Sequence, residues 1–336
     1  MALPGTPSNV LDRTIMTRTR SLAATLLSLS AAALLALVGA GSAHAAPSSS
    51  GDKAAPSVAS AIVDGTGAAD YWTSDRMRAA IPGDVLAGKA LERGKSSSAA
   101  SVLKGPKTKV AGTTGKPSLA QPANPVAHIG KVFFTLGGAN YVCSGNAVSA
   151  PNKSTVATAG HCLNEGPGAF ATNFVFVPAY ENGARPYGTW TAKALYTTAQ
   201  WKGSGDISYD TGFAVMSQLG GKLLTDVVGG SGVAFNEDRG LQYTSYGYPA
   251  AKPFSGQRLW SCTGTATNDT NNTAFTTQGI PCDMTGGSSG GPWFIGSGSD
   301  GLQNSINSYG YSPKPVMYGP YWGAAIKTAY DIAAAA

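Results

Sequence analysis

Gly286-Gly287-Ser288-Ser289-Gly290-Gly291-Pro292 is the stretch on which the reading of this chain turns, together with Thr158-Ala159-Gly160-His161-Cys162 upstream. A serine among glycines is either a flexible loop or an exposed nucleophile. The second use makes specific demands. A carbonyl carbon must reach the hydroxyl, and backbone N–H groups must lie close enough to hold the oxyanion that develops. Glycine permits that approach because it has no side chain to keep the backbone away. The hydroxyl also needs a base to take its proton, and His161 is the candidate.

Chain order narrows the architecture. Gly287-Ser288-Ser289-Gly290-Gly291 fits the G-x-S-x-G pattern of α/β-hydrolases, in which the histidine follows the serine. No histidine follows Ser289, so that fold is excluded. A subtilisin-type order needs an aspartate before the histidine. Residues 121–161 contain no Asp or Glu, so that order would need a carboxylate from further upstream. His, then Asp, then Ser remains. Two candidates for the aspartate lie in Gly205-Asp206-Ile207-Ser208-Tyr209-Asp210-Thr211-Gly212-Phe213-Ala214-Val215-Met216.

The surroundings are β-rich. Of 336 residues 43% are hydrophobic and 12% charged, which excludes a disordered polyelectrolyte. Gly (44) and Pro (20) are too dense for a coiled coil or helical array. From Lys131 onward short runs are separated by Gly, Pro, Asn and Ser turns: Lys131–Leu136, Tyr141–Val148, Phe174–Val177, Gly188–Tyr196, Phe213–Met216, Leu241–Tyr248 and Gln257–Cys262. Such spacing without helical periodicity indicates an all-β sandwich or barrel. Only Gly323–Ala335 reads as a helix, with Ile326, Tyr330 and Ile332 near 3.6 spacing.

The N-terminal third differs. Arg18 and Arg20 precede an apolar run from Leu22 to Val38, followed by Ala43-His44-Ala45. This order marks a secretory signal over residues 1–45, cleaved after Ala45. Residues 46–125 are rich in Ala, Ser, Gly and Lys, and only Asp70-Tyr71-Trp72 and Met77 are expected to pack on anything. They are expected to be a propeptide, a folding aid or inhibitor removed after export, ahead of a main domain at 126–336. The net charge of +6 also lies wholly here, since residues 121–336 carry equal numbers of acidic and basic side chains. A nucleic-acid role therefore has no charged surface to rest on. The four cysteines, 143, 162, 262 and 282, suggest disulfides in an exported chain and lack the spacing of a zinc site.

With both motifs in this order, residues 126–336 resemble the chymotrypsin-like serine proteases, in particular secreted bacterial trypsin-like and V8-type enzymes. The resemblance implies two Greek-key β-barrels with a short C-terminal helix. It implies a secreted, monomeric endopeptidase that acts on proteins or peptides through an acyl-enzyme, with no cofactor, metal, nucleic acid or stable membrane association. The catalytic residues would be His161, Asp210 and Ser289. Asp210 is preferred to Asp206 because the family's aspartate directly precedes an apolar strand. The N–H groups of Gly287 and Ser289 would form the oxyanion hole. Cys143 would pair with Cys162, which leaves Cys262 with Cys282. Ser308-Tyr309-Gly310 resembles the strand that binds substrate backbone, and Gly319 the opposite wall of the P1 pocket.

Asp283 lies six residues before Ser289, where trypsin-like members carry the acid that receives Arg or Lys. It is otherwise an ordinary surface residue beside Cys282, which precedes the acid rather than following it. Glutamate specificity is disfavoured, because His128 is the only other mature histidine. Ser288 stands where animal enzymes have an aspartate, so their N-terminal ion-pair switch is not expected. The alternatives are a catalytically silent binding relative and an esterase on the same scaffold.

Overall fold

A computed structural model describes residues 57–94, 105–109, 120–296 and 298–336. The expected signal at 1–45 lies outside the described residues. The described chain begins with β1 (Val58–Ile62), α1 (Ala68–Tyr71), α2 (Ser74–Ala79), β2 (Ile81–Pro82) and α3 (Asp84–Gly94). Two short strands follow, β3 (Thr108–Lys109) and β4 (Gln121–Pro122).

A barrel comes next, made of β5 (Ile129–Leu136), β6 (Ala139–Ala147), β7 (Thr155–Thr158), β8 (Thr172–Pro178), β9 (Trp190–Thr198) and, after α4 (Ala199–Ser204), β10 (Gly212–Met216). Its neighbours run β9-β10-β7-β6-β5-β8, all antiparallel, and β8 returns to β9 at Val175↔Thr191 and Phe176↔Trp190 to close six strands into a ring. Residues alternate as a closed sheet demands. Val132, Phe134 and Leu136 of β5 join one core cluster, while Ile129 and Phe133 join another with Tyr180, Tyr248 and Phe294.

Beyond α5 (Leu224–Val228) lie β11 (Gly232–Phe235), β12 (Gln242–Gly247), β13 (Trp260–Thr265), β14 (Thr267–Asn268), β15 (Gln278–Pro281), β16 (Pro292–Ile295), β17 (Leu302–Ile306), β18 (Tyr309–Gly310) and β19 (Val316–Gly319). These form a seven-stranded sheet, β3-β11-β17-β16-β12-β13-β4, and a four-stranded one, β14-β15-β19-β18. The chain ends in α6 (Ala324–Ala335). Its buried stripe is Ile326, Ala329 and Ala333; Ile332, expected on that face, is 44% exposed. The all-β architecture with a C-terminal helix is as the sequence implied.

The N-terminal segment packs far more than expected. Val58–Ile62 pairs with Thr198–Ala194 of β9, along the edge that β8 leaves open. Trp72 is buried, donates from Nε1 to Asn173 O at 2.6 Å and lies 5.4 Å from the Phe133 ring. Alanines of α3 are buried as well, Ala87 and Ala90 among them. The segment has too few large apolar groups for its own core, and it borrows the barrel's.

Lys131 is the odd residue of β5. The strand's alternation puts it on the Phe133 face, where it is buried, and Nζ donates to Gly256 O at 2.8 Å and lies 4.5 Å from the Tyr180 ring centroid. Burial lowers its pKa to about 7. Between pH 7 and the ordinary lysine value of 10.5 the unfolded chain therefore binds a proton that the folded chain has shed. Stability rises with pH across that window. Lys131→Met should raise the melting temperature most below pH 7, and the gap from wild type should narrow towards pH 10. Thermal melts at pH 6, 8 and 10 check this, and parallel curves would refute it.

Candidate active site

His161 sits in a tight turn, Gly160–Cys162, just after β7. Asp210 ends a second turn, Ile207–Tyr209, just before β10. Because β7 and β10 are paired neighbours, with Gly212 opposite Thr158, the two turns meet at one end of the barrel. Asp210 Oδ1 accepts the His161 backbone N–H at 2.7 Å, and Oδ2 lies 2.7 Å from His161 Nδ1. Ser308 Oγ donates to the same Oδ2 at 2.6 Å. Both side chains are fully buried. A buried carboxylate is tolerated when donors surround it, and here there are three. With Nδ1–H committed to Asp210, Nε2 is left as the acceptor. Asp206 is elsewhere: it caps its turn by accepting Ser208 N–H at 3.0 Å.

Ser289 comes from the second set of strands. Its carbonyl accepts Ser144 N–H at 2.7 Å, and Ser144 Oγ donates to Gly287 O at 2.9 Å, so β6 carries the serine loop beside the histidine turn. Gly290 has φ +79°, and a Cβ there would lie 2.5 Å from Ser144 O and 2.7 Å from Ala159 N. Gly287 has φ +93°. Gly286 O accepts Ala250 N–H at 2.6 Å, which turns the N–H of Gly287 the opposite way across a trans peptide. Among the described residues the N–H groups of Gly287 and Ser289 have no acceptor. Ser288 Oγ donates to Thr285 O at 2.8 Å, a local bond that needs no new N-terminus. His161 Nε2 makes no hydrogen bond, so Ser289 Oγ is not yet joined to it.

A cavity of about 430 Å³ opens beside Ser289. Asp283, Ser308, Tyr309 and Gly310 line it, whereas Gly319 does not. Asp283 is exposed rather than sunk at a floor. Tyr309 is fixed by its hydroxyl, 2.6 Å from Thr277 Oγ1 and 2.8 Å from Asp269 Oδ2. His128 does not line this cavity and pairs through Nδ1 with Asn146 Oδ1 at 2.7 Å. The disulfides are Cys143–Cys162 and Cys262–Cys282. The first ties β6 to the histidine turn, and each closes a loop of about 20 residues, worth about 3 kcal/mol on the loop-entropy account.

Sequence reasoning missed Asn307, which braces the serine loop. Its N–H donates to Gly291 O, its O accepts Gly290 N–H, and its amide donates to Ser288 O at 3.1 Å. A lone asparagine gives no local signal of such a role. It also missed Asp84, which lines the cavity beside Ser289.

A closed barrel and a second set of sheets, with a histidine from one and a serine from the other in one cleft, describe a serine endopeptidase. Among solved structures the chain is similar to the protease Anisep from Arthrobacter nicotinovorans, at 68% identity over 65% of this chain and 100% of that one, with a TM-score of 0.64. It is similar to the thermostable serine protease AL20 from an extremophilic microorganism at 54% identity, over 62% of this chain and 97% of that one, with a TM-score of 0.60. A Glu endopeptidase shares the fold at 21% identity over 68% of this chain and 97% of that one, TM-score 0.51. The chain belongs to the chymotrypsin-like serine proteases.

No family model matches the chain. A curated relative, an extracellular metalloprotease of Bacillus subtilis, is 30% identical over 126 residues, 37% of this chain and 37% of its own length. Among the described residues one group of His, Cys or acidic side chains has metal-ligand geometry, and it does not fit a metal. It is Cys143, His161 and Cys162, whose sulfurs are joined to each other and whose Nδ1 is held by Asp210.

Asp210→Asn should lower turnover by about 10⁴-fold, because an amide at Oδ2 favours the wrong imidazole tautomer. Asp206→Asn should leave turnover near wild type. Steady-state kinetics on one ester substrate separate the two, and equal losses would refute the assignment.

Proposed function

We propose that this chain is a secreted endopeptidase whose catalytic residues are His161, Asp210 and Ser289. Ser289 attacks the peptide carbonyl, and His161 Nε2 takes its proton and returns it to the leaving amine. Asp210 holds the tautomer and stabilises the imidazolium. The N–H groups of Gly287 and Ser289 receive the oxyanion, each worth about 10²–10³ in turnover. The carrying observation is the three-donor Asp210 carboxylate bonded to His161 in the cleft that Ser289 and two uncommitted amides share.

Substrates are proteins or peptides. Asp283, on the cavity lining, favours Arg or Lys at P1. Residues 1–45 direct export and 46–125 are removed afterwards, leaving a monomer. Among the described residues no helix is long and apolar enough to cross a membrane.

Fluorophosphonate labelling of processed protein, read by mass spectrometry, should mark Ser289 and fail in Ser289→Ala and His161→Ala. No label on folded, processed protein would refute the reading in favour of a silent binding relative. On peptide substrates, Asp283→Asn should lower kcat/KM for P1 Arg and Lys about tenfold, the equivalent of roughly 1.4 kcal/mol. P1 Leu should be unaffected, and equal loss on all three would refute the pocket assignment.

A further inference from the structure

The cleft just described is occupied by the chain itself. Ile81–Pro82 pairs in parallel with Tyr141–Val142, immediately before the Cys143–Cys162 disulfide, and Gly83 N–H donates to Val142 O at 2.9 Å. Gly83 fits because it has no side chain: a Cβ there would lie 2.6 Å from Cys143 Sγ and 3.9 Å from Cys162 Sγ. The next residue, Asp84, sets its carboxylate against Gly286, at the entrance to the nucleophile loop, and lines the cavity with Ser289. Crowding by protein raises its pKa.

From Asp84 the chain turns into α3, which crosses the other half of the cleft. Ala87 and Ala90 are buried against Trp201, Ile207, Tyr309 and Tyr318. Tyr309 belongs to β18, the strand whose resemblance implied backbone pairing with substrate. With this segment in place His161 is fully buried and Ser289 is 3% exposed. The segment offers Ser289 nothing to cut. Its backbone from Asp84 onward is helical, with carbonyls committed to the i→i+4 ladder rather than presented as extended peptide. The grip lies outside the cleft, in the five paired residues of β1 and in Trp72.

We propose that residues 57–94 are a tethered inhibitor, anchored by β1 and Trp72, that shuts the catalytic cleft through Gly83, Asp84 and the alanine face of α3. This rests on the catalytic reading above and commits the segment to inhibition. An intact chain is latent, and activity needs the segment removed, not merely a cut behind it.

The test uses the full chain, shown intact by mass spectrometry, with folding checked by circular dichroism. The rate of fluorophosphonate labelling at Ser289 is read for wild type, Gly83→Val, Ala90→Lys and the exposed-face control Lys89→Ala. A further sample of wild type is trimmed with thermolysin, quenched by a chelator, until residues 57–94 are gone. Intact wild type and Lys89→Ala should label at least 100-fold more slowly than Gly83→Val, Ala90→Lys and trimmed protein. Intact wild type labelling at the trimmed rate overturns the proposal, whether or not the variants fold. Trimmed protein labelling fast while both folded variants stay slow overturns it too, since closure then does not pass through Gly83 and Ala90. No label in any form, trimmed included, overturns the catalytic reading instead, and this proposal with it.

Discussion

Asp210 has no solvent contact, and its two oxygens take the backbone N–H and imidazole of His161 and the hydroxyl of Ser308, from two separate parts of the chain. Each donor is fixed by something larger. The His161 N–H is where it is because β7 pairs with β10. The Ser308 hydroxyl is held between β17 and β18, in the second set of strands. A carboxylate stripped of water has to be met by several donors at once, so the two halves of the molecule cannot slide apart without leaving it unsatisfied. The same requirement brings the serine loop within reach of the histidine, through Ser144 on one side and Asn307 on the other.

What could be read in the sequence was whatever repeats locally or stands in a dense motif. His161 and Ser289 were visible because each stands beside glycine, and a Cβ would strike backbone at Gly290 and Gly291 and the Trp201 ring at Gly160. The strands were visible because valine and phenylalanine recur between turn residues. Asp210 was preferred to Asp206 from the uncharged run after it, and that run is β10, buried at every residue.

Other features left no local trace. Asn307 works through partners on β12 and the serine loop that only the tertiary fold brings near. The helix α3 contains Gly88 and shows Val85 to solvent, so its periodicity is weak. It packs with alanines because the rings of Trp201 and Tyr309 already fill the space opposite. A face complementary to aromatic rings need not be hydrophobic in bulk. For that reason a segment with a composition close to that of a linker could be underestimated as a packing element.

The pairing of β1 with β9 would bear on any form of the enzyme that lacks the segment. Within the described chain, Ala194–Thr198 has β10 on one edge and Val58–Ile62 on the other. Cutting away the N-terminal segment strips that second edge and leaves a row of unpaired amides and carbonyls at the surface of a barrel otherwise closed on itself. A form without Val58–Ile62 would carry an open docking rail for any extended strand, on a part of the molecule separate from the cleft. Loss of the segment would trade an internal partner for an open edge, and strand-to-strand association between copies would then depend on protein concentration.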